Sequence, residues 1–398
     1  MKETEDMIRM IAMPVVQQFM ASHEQEDWGK MSLKYGNKVS FDVASLSRQM
    51  DLREKAKNKI KEFVTPQTLL LPKLFEQCTH ELVAKYKSTL ITGDKLLDAT
   101  TGLGIDIFFI GRNAKDITCL EANPEHVLLL KHNLGQHHLN YNIQHTTLEF
   151  FLEQNSLHYD VIYVDPDRRP EAQQRVFDPE QCTPNVVSLK NQLLDKANRV
   201  WIKLSPMMDL QAIIHHFSPN IKHIYSIALQ NEMKELLICL SSGIHEPEFT
   251  AINIGKEKTQ EYTSKHMNVK PPLSMVLNYF FEPNVALIKS RLCMPYAFEH
   301  GLNILYPQGY YFTSDHPIKD LQGRLFKVIH AMPYKKEQLQ QFIKTHSINK
   351  ANISCRNFFW KPEEVKKELK LNDGGEWYLF CYTQSEKKSF AVWCKKTT

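Results

Sequence analysis

The first part of the chain carries apolar residues at a helical period. They recur about every 3.6 positions through Asp6–Met20, Val43–Phe63 and Leu74–Tyr86. No strong strand pattern interrupts these stretches. We therefore predict an N-terminal helical domain over residues 1–90.

From Lys95 onward, short apolar and β-branched runs alternate with helical stretches. This alternation is typical of a parallel sheet with crossover helices, so residues 91–244 are expected to form an α/β, Rossmann-like domain. The helices are predicted to begin near Ile105, Pro124, Leu148, Ser188 and Asp209. The seven strands are predicted at Lys95–Asp98, Asp116–Glu121, Asn142–Thr147, Asp160–Asp165, Arg199–Leu204, His223–Leu229 and Leu236–Ser241.

The last two of these strands are separated by residues 230–235 only, which is too short for a helical crossover. They are therefore expected to pair antiparallel. Dinucleotide oxidoreductases normally keep their sixth strand parallel, so the pattern favours another class of nucleotide-binding sheet. Glu232, Lys234 and Glu235 could face a pocket at this edge of the sheet, but an exposed charged turn is the preferred interpretation of the three.

The stretch after the last strand is polar and irregular, and Pro271-Pro272 ends it, so we interpret residues 245–277 as a linker or extended segment. Residues 278–323 resume apolar runs and are expected to form a small segment of their own. Residues 324–398 predict a small split α+β module. Its strands are expected at Leu325–His330, Asn352–Cys355, Glu376–Thr383 and Ser389–Cys394, and its helices at Lys336–His346 and Pro362–Leu369.

The composition is that of an ordinary globular protein, with 42% hydrophobic residues. No apolar run approaches the roughly 18 residues of a membrane span, and Met1–Asp6 is too acidic and polar for a signal peptide. We therefore expect a cytoplasmic protein without membrane contact. The eight cysteines lack the spacing of a metal site, so we expect reduced thiols and no metal.

Basic residues are concentrated at the C-terminus. Residues 326–398 carry 14 Lys and Arg against 7 Asp and Glu, whereas the remainder carries 35 against 38. Because phosphate contacts are made largely by Lys and Arg, this imbalance favours RNA as a partner. A lysine-rich face that only maintains solubility is the alternative.

A glycine turn follows the first strand of the predicted sheet. Residues 96–106 read Leu-Leu-Asp-Ala-Thr-Thr-Gly-Leu-Gly-Ile-Asp. Glycine lets backbone approach a ligand closely, and the positive end of the next helix favours the ligand's polar end. Glu121 ends the second strand seventeen residues after Gly104, a spacing at which a carboxylate reaches ribose hydroxyls. We predict a nucleotide-like cofactor here, with Asp98 accepting backbone amides. An ordinary turn with a helix-capping acid is the alternative.

The fourth strand leads into a charged loop at the same edge of the sheet. Residues 165–169 read Asp-Pro-Asp-Arg-Arg, at the carboxyl end where such sheets keep their active sites. Arg168 and Arg169 offer planar forks for a phosphate or carboxylate. Alternatively, they pair with nearby acids such as Asp178 and only stiffen the loop. Lys203 lies in the apolar fifth strand, where a lysine is costly unless paired, so it is expected to meet Asp165 or Asp209.

With these motifs, the chain resembles class I S-adenosylmethionine-dependent methyltransferases, and more narrowly a bacterial methyltransferase family with a THUMP-like domain. Its C-terminal part resembles a small ferredoxin-like segment joined to a THUMP-like module, matched at Tyr311–Asp315 and Ile353–Arg356. The other matching motifs are Glu-Gln-Cys-Thr at 76–79, Asp-Pro-Asp-Arg-Arg at 165–169, Lys-Leu-Ser-Pro at 203–206 and Glu-Met-Lys-Glu at 232–235.

The resemblance implies S-adenosyl-L-methionine as the cofactor and RNA as the substrate, since THUMP domains bind RNA. The residues implied at the cofactor are Asp98, Thr100, Gly102, Gly104, Asp106, Glu121, Ala122, Glu149, Asp165 and Pro166. The residues implied in catalysis are Asp165, Arg168, Arg169 and Lys203.

The sequence departs from the family pattern at several positions. Thr100 occupies the first glycine position, Asp167 replaces an alanine, and Glu149 is the nearest substitute for an acid after the third strand. Asp165-Pro166 also resembles the Asp-Pro-Pro-aromatic element of amino-nitrogen methyltransferases, but Arg168 replaces the ring that would stack on a base. A methyltransferase for a small acidic metabolite or a protein, and a non-catalytic cofactor-binding module, are the alternatives. The target nucleotide and oligomeric state stay open.

Overall fold

The computed structural model describes residues 1–137, 140–168, 178–265, 268–307, 309–385 and 388–397. The chain divides into two compact units. The first unit contains residues 1–224 and 235–247, and the second unit contains residues 225–234 and 248–398. The finer five-part division stays a prediction.

Helices occupy the N-terminal part of the first unit, as the helical period predicted. The expected Val43–Phe63 helix is shorter, since it ends at Ala56 and residues 57–63 form turns. Within these turns, the Lys59 ammonium donates to the Phe75 carbonyl oxygen at 2.7 Å. The helices are α1 (Lys2–Ala12), α2 (Pro14–Ser22), α3 (Trp28–Tyr35), α4 (Val43–Ala56), α5 (Pro72–Gln77) and α6 (Glu81–Leu90).

A mainly parallel sheet follows these helices. Its strands are β1 (Lys95–Asp98), β2 (Asp116–Glu121), β3 (Tyr141–His145), β4 (Tyr159–Val164), β7 (Ala197–Leu204), β8 (Ile221–Leu229) and β9 (Glu232–Leu240), and β5 (Asp167–Arg168) pairs separately with β6 (Cys182–Thr183). The helices between them are α7 (Ile105–Ile110), α8 (Pro124–Leu134), α9 (Leu148–Gln154), α10 (Lys190–Lys196) and α11 (Leu210–Phe217).

The strand order β9-β7-β4-β1-β2-β3 places β1 at the centre, and β8 lies beside β9. Strands β1, β2, β3, β4 and β7 are parallel, whereas β9 is antiparallel to β7. The predicted seven-stranded α/β fold with an antiparallel final strand is therefore confirmed.

The β8–β9 hairpin is tighter than the sequence predicted. Its turn consists of Gln230 and Asn231, which both have positive φ values, of 50° and 65°. Two such residues form the tight turn whose twist matches that of the flanking strands. The six-residue turn expected over 230–235 is therefore wrong, and Glu235 lies inside β9, where it is buried.

Two strands occupy part of the predicted linker. In the second unit, β10 (Glu248–Ile254) lies beside the hairpin portion of β8 and pairs antiparallel with β11 (Thr259–Ser264). The expected irregularity is wrong for these residues, whereas the alternative of an extended segment agrees with them. Residues of β11 alternate between exposed and half-buried positions, so this strand has the polar composition of a loop.

The second unit also contains a separate seven-stranded sheet with the order β13-β14-β12-β15-β18-β17-β16. All its strand pairs are antiparallel except β16 with β17. Its strands are β12 (Tyr279–Pro283), β13 (Asn303–Ile304), β14 (Phe312–Ser314), β15 (Gly323–Pro333), β16 (Asn352–Arg356), β17 (Trp377–Ser385) and β18 (Lys388–Lys396), and its helices are α12 (Val285–Lys289), α13 (Cys293–Glu299), α14 (Lys336–Thr345) and α15 (Pro362–Leu369).

Alternating side chains of this sheet enter two hydrophobic cores. Leu379 and Cys381 pack with Leu339 of α14 and Val365 of α15, whereas Phe380 belongs to the aromatic core of the opposite face. Because successive side chains of β17 point to opposite faces, this one strand contributes to the cores on both sides of the sheet. The sequence predicted the elements of residues 324–398 to within a few residues, because every one of them has a clear period.

Candidate functional site

A cavity of about 380 Å³ lies in the first unit, where the carboxyl ends of β1, β2 and β4 meet. This is the edge at which open α/β sheets bind ligands. Pro166 is buried and is not among the described residues that line the cavity. Arg169 lies outside the described residues, as does the side chain of Arg168. The other predicted site residues all line the cavity: Asp98, Thr100, Gly102, Gly104, Asp106, Glu121, Ala122, Glu149, Asp165 and Lys203.

The turn after β1 requires both of its glycines. Gly102 and Gly104 have φ values of +56° and +87°, in the left-handed region that disfavours other residues. A Cβ atom on Gly104 would lie 2.8 Å from Leu130 Cδ1, whereas one on Gly102 would meet no atom within 4 Å. Gly104 therefore packs the turn against α8, and Gly102 leaves space open on the cavity side.

Glu121 fixes this turn from the end of β2. Its carboxylate accepts hydrogen bonds from the backbone amides of Gly102 at 3.0 Å and Asn123 at 2.9 Å. Burial would raise the pKa of Glu121, but hydrogen bonding by His126 and by these amides outweighs burial and lowers it. The carboxylate is therefore held ionised at the wall of the cavity. It keeps further lone pairs with which it could accept hydroxyl groups of a ligand.

Asp98 and Thr100 connect the ends of β1 and β4. The buried Asp98 carboxyl accepts the Thr100 amide at 3.1 Å, which confirms the predicted contact with the turn. The Thr100 hydroxyl in turn accepts the Asp165 amide at 2.7 Å. Burial raises the pKa of Asp98 to about 8, with the charges of neighbouring carboxylates adding to the effect. A cationic group of a ligand placed next to Asp98 would lower this pKa and favour the ionised carboxylate.

Lys203 pairs with Asp165, as its position in an apolar strand predicted. Its ammonium contacts the Asp165 carboxylate and donates to the Thr79 hydroxyl at 3.2 Å. Burial alone would lower the pKa of Lys203, but the charges of Asp165 and Asp106 outweigh it and raise the pKa well above the usual value. Lys203 therefore stays charged and holds the Asp165 carboxylate in place.

A buried ion cluster beneath this pair was not predicted. The ammonium of Lys87, which is fully buried on α6, lies 2.8 Å from Asp106 Oδ1 and 3.0 Å from Glu235 Oε1. Tyr163 donates its hydroxyl to Asp106 at 2.8 Å, and Thr79 does so at 2.9 Å. Asp106 therefore joins α6, α7 and the sheet rather than only lining the cavity.

The ionisation of the cluster follows from these contacts. Burial would raise the pKa of Asp106, but the charges of Lys87 and Lys203 outweigh it and lower the pKa to about 2. Burial raises the pKa of Glu235, and Lys87 offsets only part of this effect. In the sequence, Lys87 is marked only by its place in the predicted helical domain, eight residues after Thr79, the last residue of the Glu-Gln-Cys-Thr motif.

Asp167 also lines the cavity, next to the β5–β6 pair. Partial desolvation and the nearby charge of Asp165 raise its pKa. Asp178, the alternative partner for the arginines, lies 3.0 Å from His216 Nε2, in a group with Glu180. Pairing of the arginines with it stays a prediction, since their side chains lie outside the described residues. The three residues of this group could approach one ion, but His216 already contacts both acids, with Nε2 3.0 Å from Asp178 and Nδ1 3.7 Å from Glu180, so these contacts account for the group.

Comparisons with known proteins agree with this geometry. Residues 323–396 match the family described as THUMP domain-like. Uncharacterized S-adenosylmethionine-dependent methyltransferases of Mycobacterium tuberculosis, from strains CDC 1551 / Oshkosh and ATCC 25618 / H37Rv, are each 21% identical to this chain over 350 residues, covering 86% of it and 92% of the relative. A crystal structure of a protein described as a methyltransferase from Porphyromonas gingivalis W83 is similar with a TM-score of 0.85 and 25% identity, covering 96% of this chain and 98% of that one.

The fold, the cavity and these similarities define the class of the protein. It is an S-adenosylmethionine-dependent methyltransferase with a THUMP-like C-terminal part. None of the helices in the described ranges has the length and apolar character needed to span a membrane.

Proposed function

We propose that this enzyme transfers methyl groups to RNA in the cytoplasm. The observation that carries the proposal is the combination of a methyltransferase sheet with a C-terminal part that matches the THUMP-like description and has 14 basic against 7 acidic residues over positions 326–398. A polyanionic substrate explains why the positive charge is confined to this part of the chain. A small metabolite would leave both the basic charge and the THUMP-like part without a role.

The cavity suits S-adenosylmethionine in size and in polar groups. Its volume of about 380 Å³ falls in the range of small-molecule sites. In our proposal the free lone pairs of Glu121 accept the ribose hydroxyls, and Asp98 faces the cationic amino group of the methionine moiety. Gly102 leaves room for the ligand beside the backbone. The bound cofactor supplies an electrophilic methyl group to the nucleophile of the substrate.

Asp165 is the proposed substrate-orienting residue. Lys203 and the Thr100 hydroxyl hold its carboxylate and its amide at the carboxyl end of β4. A carboxylate fixed there can accept a hydrogen bond from the attacking group and orient its lone pair toward the methyl carbon. Arg168 and Arg169, which follow in the sequence, are proposed to bind substrate phosphates.

Nucleoside mass spectrometry of total RNA tests this proposal. RNA from cells that lack the protein is compared with RNA from cells that express either the wild type or Asp165→Ala. The proposal expects one methylated nucleoside to disappear without the protein, to return with the wild type and to stay absent with the variant. An unchanged nucleoside profile, together with methylation found only in proteins or small molecules, would overturn it.

A further inference from the structure

An aromatic cluster stands at the surface of the second unit, formed by the loop between β16 and α15 together with Tyr334, which follows β15. The ring centroid of Phe359 lies 4.2 Å from that of Phe358, 5.2 Å from that of Trp360 and 5.9 Å from that of Tyr334. Three aromatic neighbours thus hold the Phe359 ring, yet 61% of the residue is exposed. Single exposed apolar residues are common and need no explanation. This one differs because the ring is both exposed and fixed.

The loop that carries the ring is attached at both of its ends. Before the cluster, Asn357 donates its side-chain amide to the Thr383 carbonyl oxygen at 2.9 Å, and the Thr383 amide returns a hydrogen bond to the Asn357 carbonyl at 2.9 Å. After the cluster, the Lys361 amide donates to the Glu364 carboxylate at 2.7 Å. The loop therefore presents Phe359 on a rigid base, so that little conformational entropy is lost when a ligand packs on the ring.

Three lysines are next in sequence to residues of this cluster or to a hydrogen-bond partner of one. Lys335 follows Tyr334, Lys361 follows Trp360, and Lys388 precedes Ser389, whose carbonyl oxygen accepts the Tyr334 amide at 2.8 Å. All three lysines are exposed, and none forms an ion pair with a carboxylate in the described ranges.

The acids of this region are mostly engaged. Glu364 caps α15 by accepting the Lys361 amide, and Glu368 pairs with Lys336 at 2.6 Å. Glu363 stays exposed in the first turn of α15. The surface therefore combines a fixed aromatic ring with lysines that have no ion pair among the described residues, within a part of the chain whose charge is strongly positive.

We propose that Phe359 is a stacking platform for an unpaired RNA base, with Lys335, Lys361 and Lys388 contacting the phosphates beside it. This inference rests on the proposed RNA substrate and names where that RNA is held. A base has a flat π-face and a charged backbone, which is the combination this surface complements. A paired base offers no free face, so the site discriminates single-stranded from duplex RNA.

Fluorescence anisotropy with the full-length protein tests the inference. The probes are a fluorescein-labelled 12-nucleotide adenine-rich RNA and the same strand annealed to its complement. Because stacking contributes a large part of single-strand affinity, Phe359→Ala is expected to weaken single-strand binding about 5-fold to 100-fold. Phe359→Trp should bind like the wild type, whereas Phe359→Leu, which is apolar but lacks a π-face, should resemble the alanine variant. Lys361→Gln should lower the slope of log affinity against log salt by about one.

Phe298→Ala is the matched control, because Phe298 is also an exposed phenylalanine of the second unit, at 53% exposure. It is expected to bind RNA like the wild type. If the wild type binds neither probe and methylates no RNA, the proposed function fails and this inference fails with it. If the wild type binds single-stranded RNA and Phe359→Ala binds equally well, the inference alone is overturned. Equal losses in Phe359→Ala and Phe298→Ala would overturn it as well.

Discussion

Replacing Lys87 should strongly destabilise the first unit. Its ammonium is fully buried between Asp106 at 2.8 Å and Glu235 at 3.0 Å, and it also contacts the Tyr163 hydroxyl at 3.0 Å. Lys87→Met keeps the length of the side chain but leaves two buried carboxylates without their shared cation. Breaking a buried ion pair in this way costs about 3–5 kcal/mol. A typical domain has only about 5–15 kcal/mol of stability, so the variant should lose a large part of it.

Lys85→Met is the matched control on the same helix. Lys85 pairs with Glu62 and Glu81, but its side chain is 36% exposed, and such pairs contribute about 1 kcal/mol or less. Urea unfolding followed by circular dichroism compares the two variants with the wild type. We expect the unfolding midpoint to fall strongly for Lys87→Met and slightly for Lys85→Met. If the free energies of unfolding of Lys87→Met and Lys85→Met differed by less than about 1 kcal/mol, the reasoning would be refuted, because burial would then not determine how much these ion pairs contribute.

Three further predictions concern the cavity. Asp165→Ala should keep the affinity for S-adenosylmethionine in isothermal titration calorimetry but lose turnover; unchanged turnover would remove Asp165 from the mechanism. Gly104→Ala should destabilise the first unit by at least about 1 kcal/mol in thermal unfolding, since its φ of +87° disfavours a side chain and the new Cβ would meet Leu130 at 2.8 Å; a wild-type melting temperature would contradict this. Asp98→Asn should stabilise the protein at pH 7 and weaken cofactor binding. Burial raises the pKa of Asp98 to about 8. Between about pH 4 and pH 8, the folded wild type therefore holds a proton on Asp98 that the unfolded chain has lost. The stability of the wild type falls as the pH rises through this range. The advantage of Asp98→Asn should therefore vanish near pH 4, and a gain that does not change with pH would exclude this cause.

Local signals predicted most of the fold. Strands β1 and β2 match their predicted bounds, and the glycine turn with Glu121 was recognisable because its residues are close in sequence and each has a conformational role. Strand β11 was missed since half of its positions are exposed, which gives a strand the composition of a loop. Glu235 was placed in an exposed turn because the tightness of the hairpin depends on two left-handed residues that pattern alone does not specify.

The contacts of the buried ion cluster could not be predicted from the sequence. Lys87 and Glu235 are 148 positions apart, and each one alone resembles an ordinary charged surface residue. Arg356 shows the same limit: in the sequence it is one more basic residue of the C-terminal part, but its guanidinium lies 3.5 Å from the buried carboxylate of Glu282. Replacing Arg356 with glutamate would disturb the core of the second unit, so exposed lysines such as Lys361 are better tests of RNA binding. Sequence patterns thus locate the site, whereas the pairing of buried charges depends on the folded chain.

Transfer of labelled methyl groups tests the central claim most directly. Purified protein is incubated with S-adenosylmethionine carrying a labelled methyl group and with RNA, protein and small-molecule fractions from cells that lack it, and Asp165→Ala serves as the control. The account predicts label in the RNA fraction, removed by ribonuclease and resistant to protease, with the wild type alone. Label confined to protein or small molecules would contradict RNA as the substrate, and binding of the cofactor without transfer to any fraction would contradict catalysis at this site.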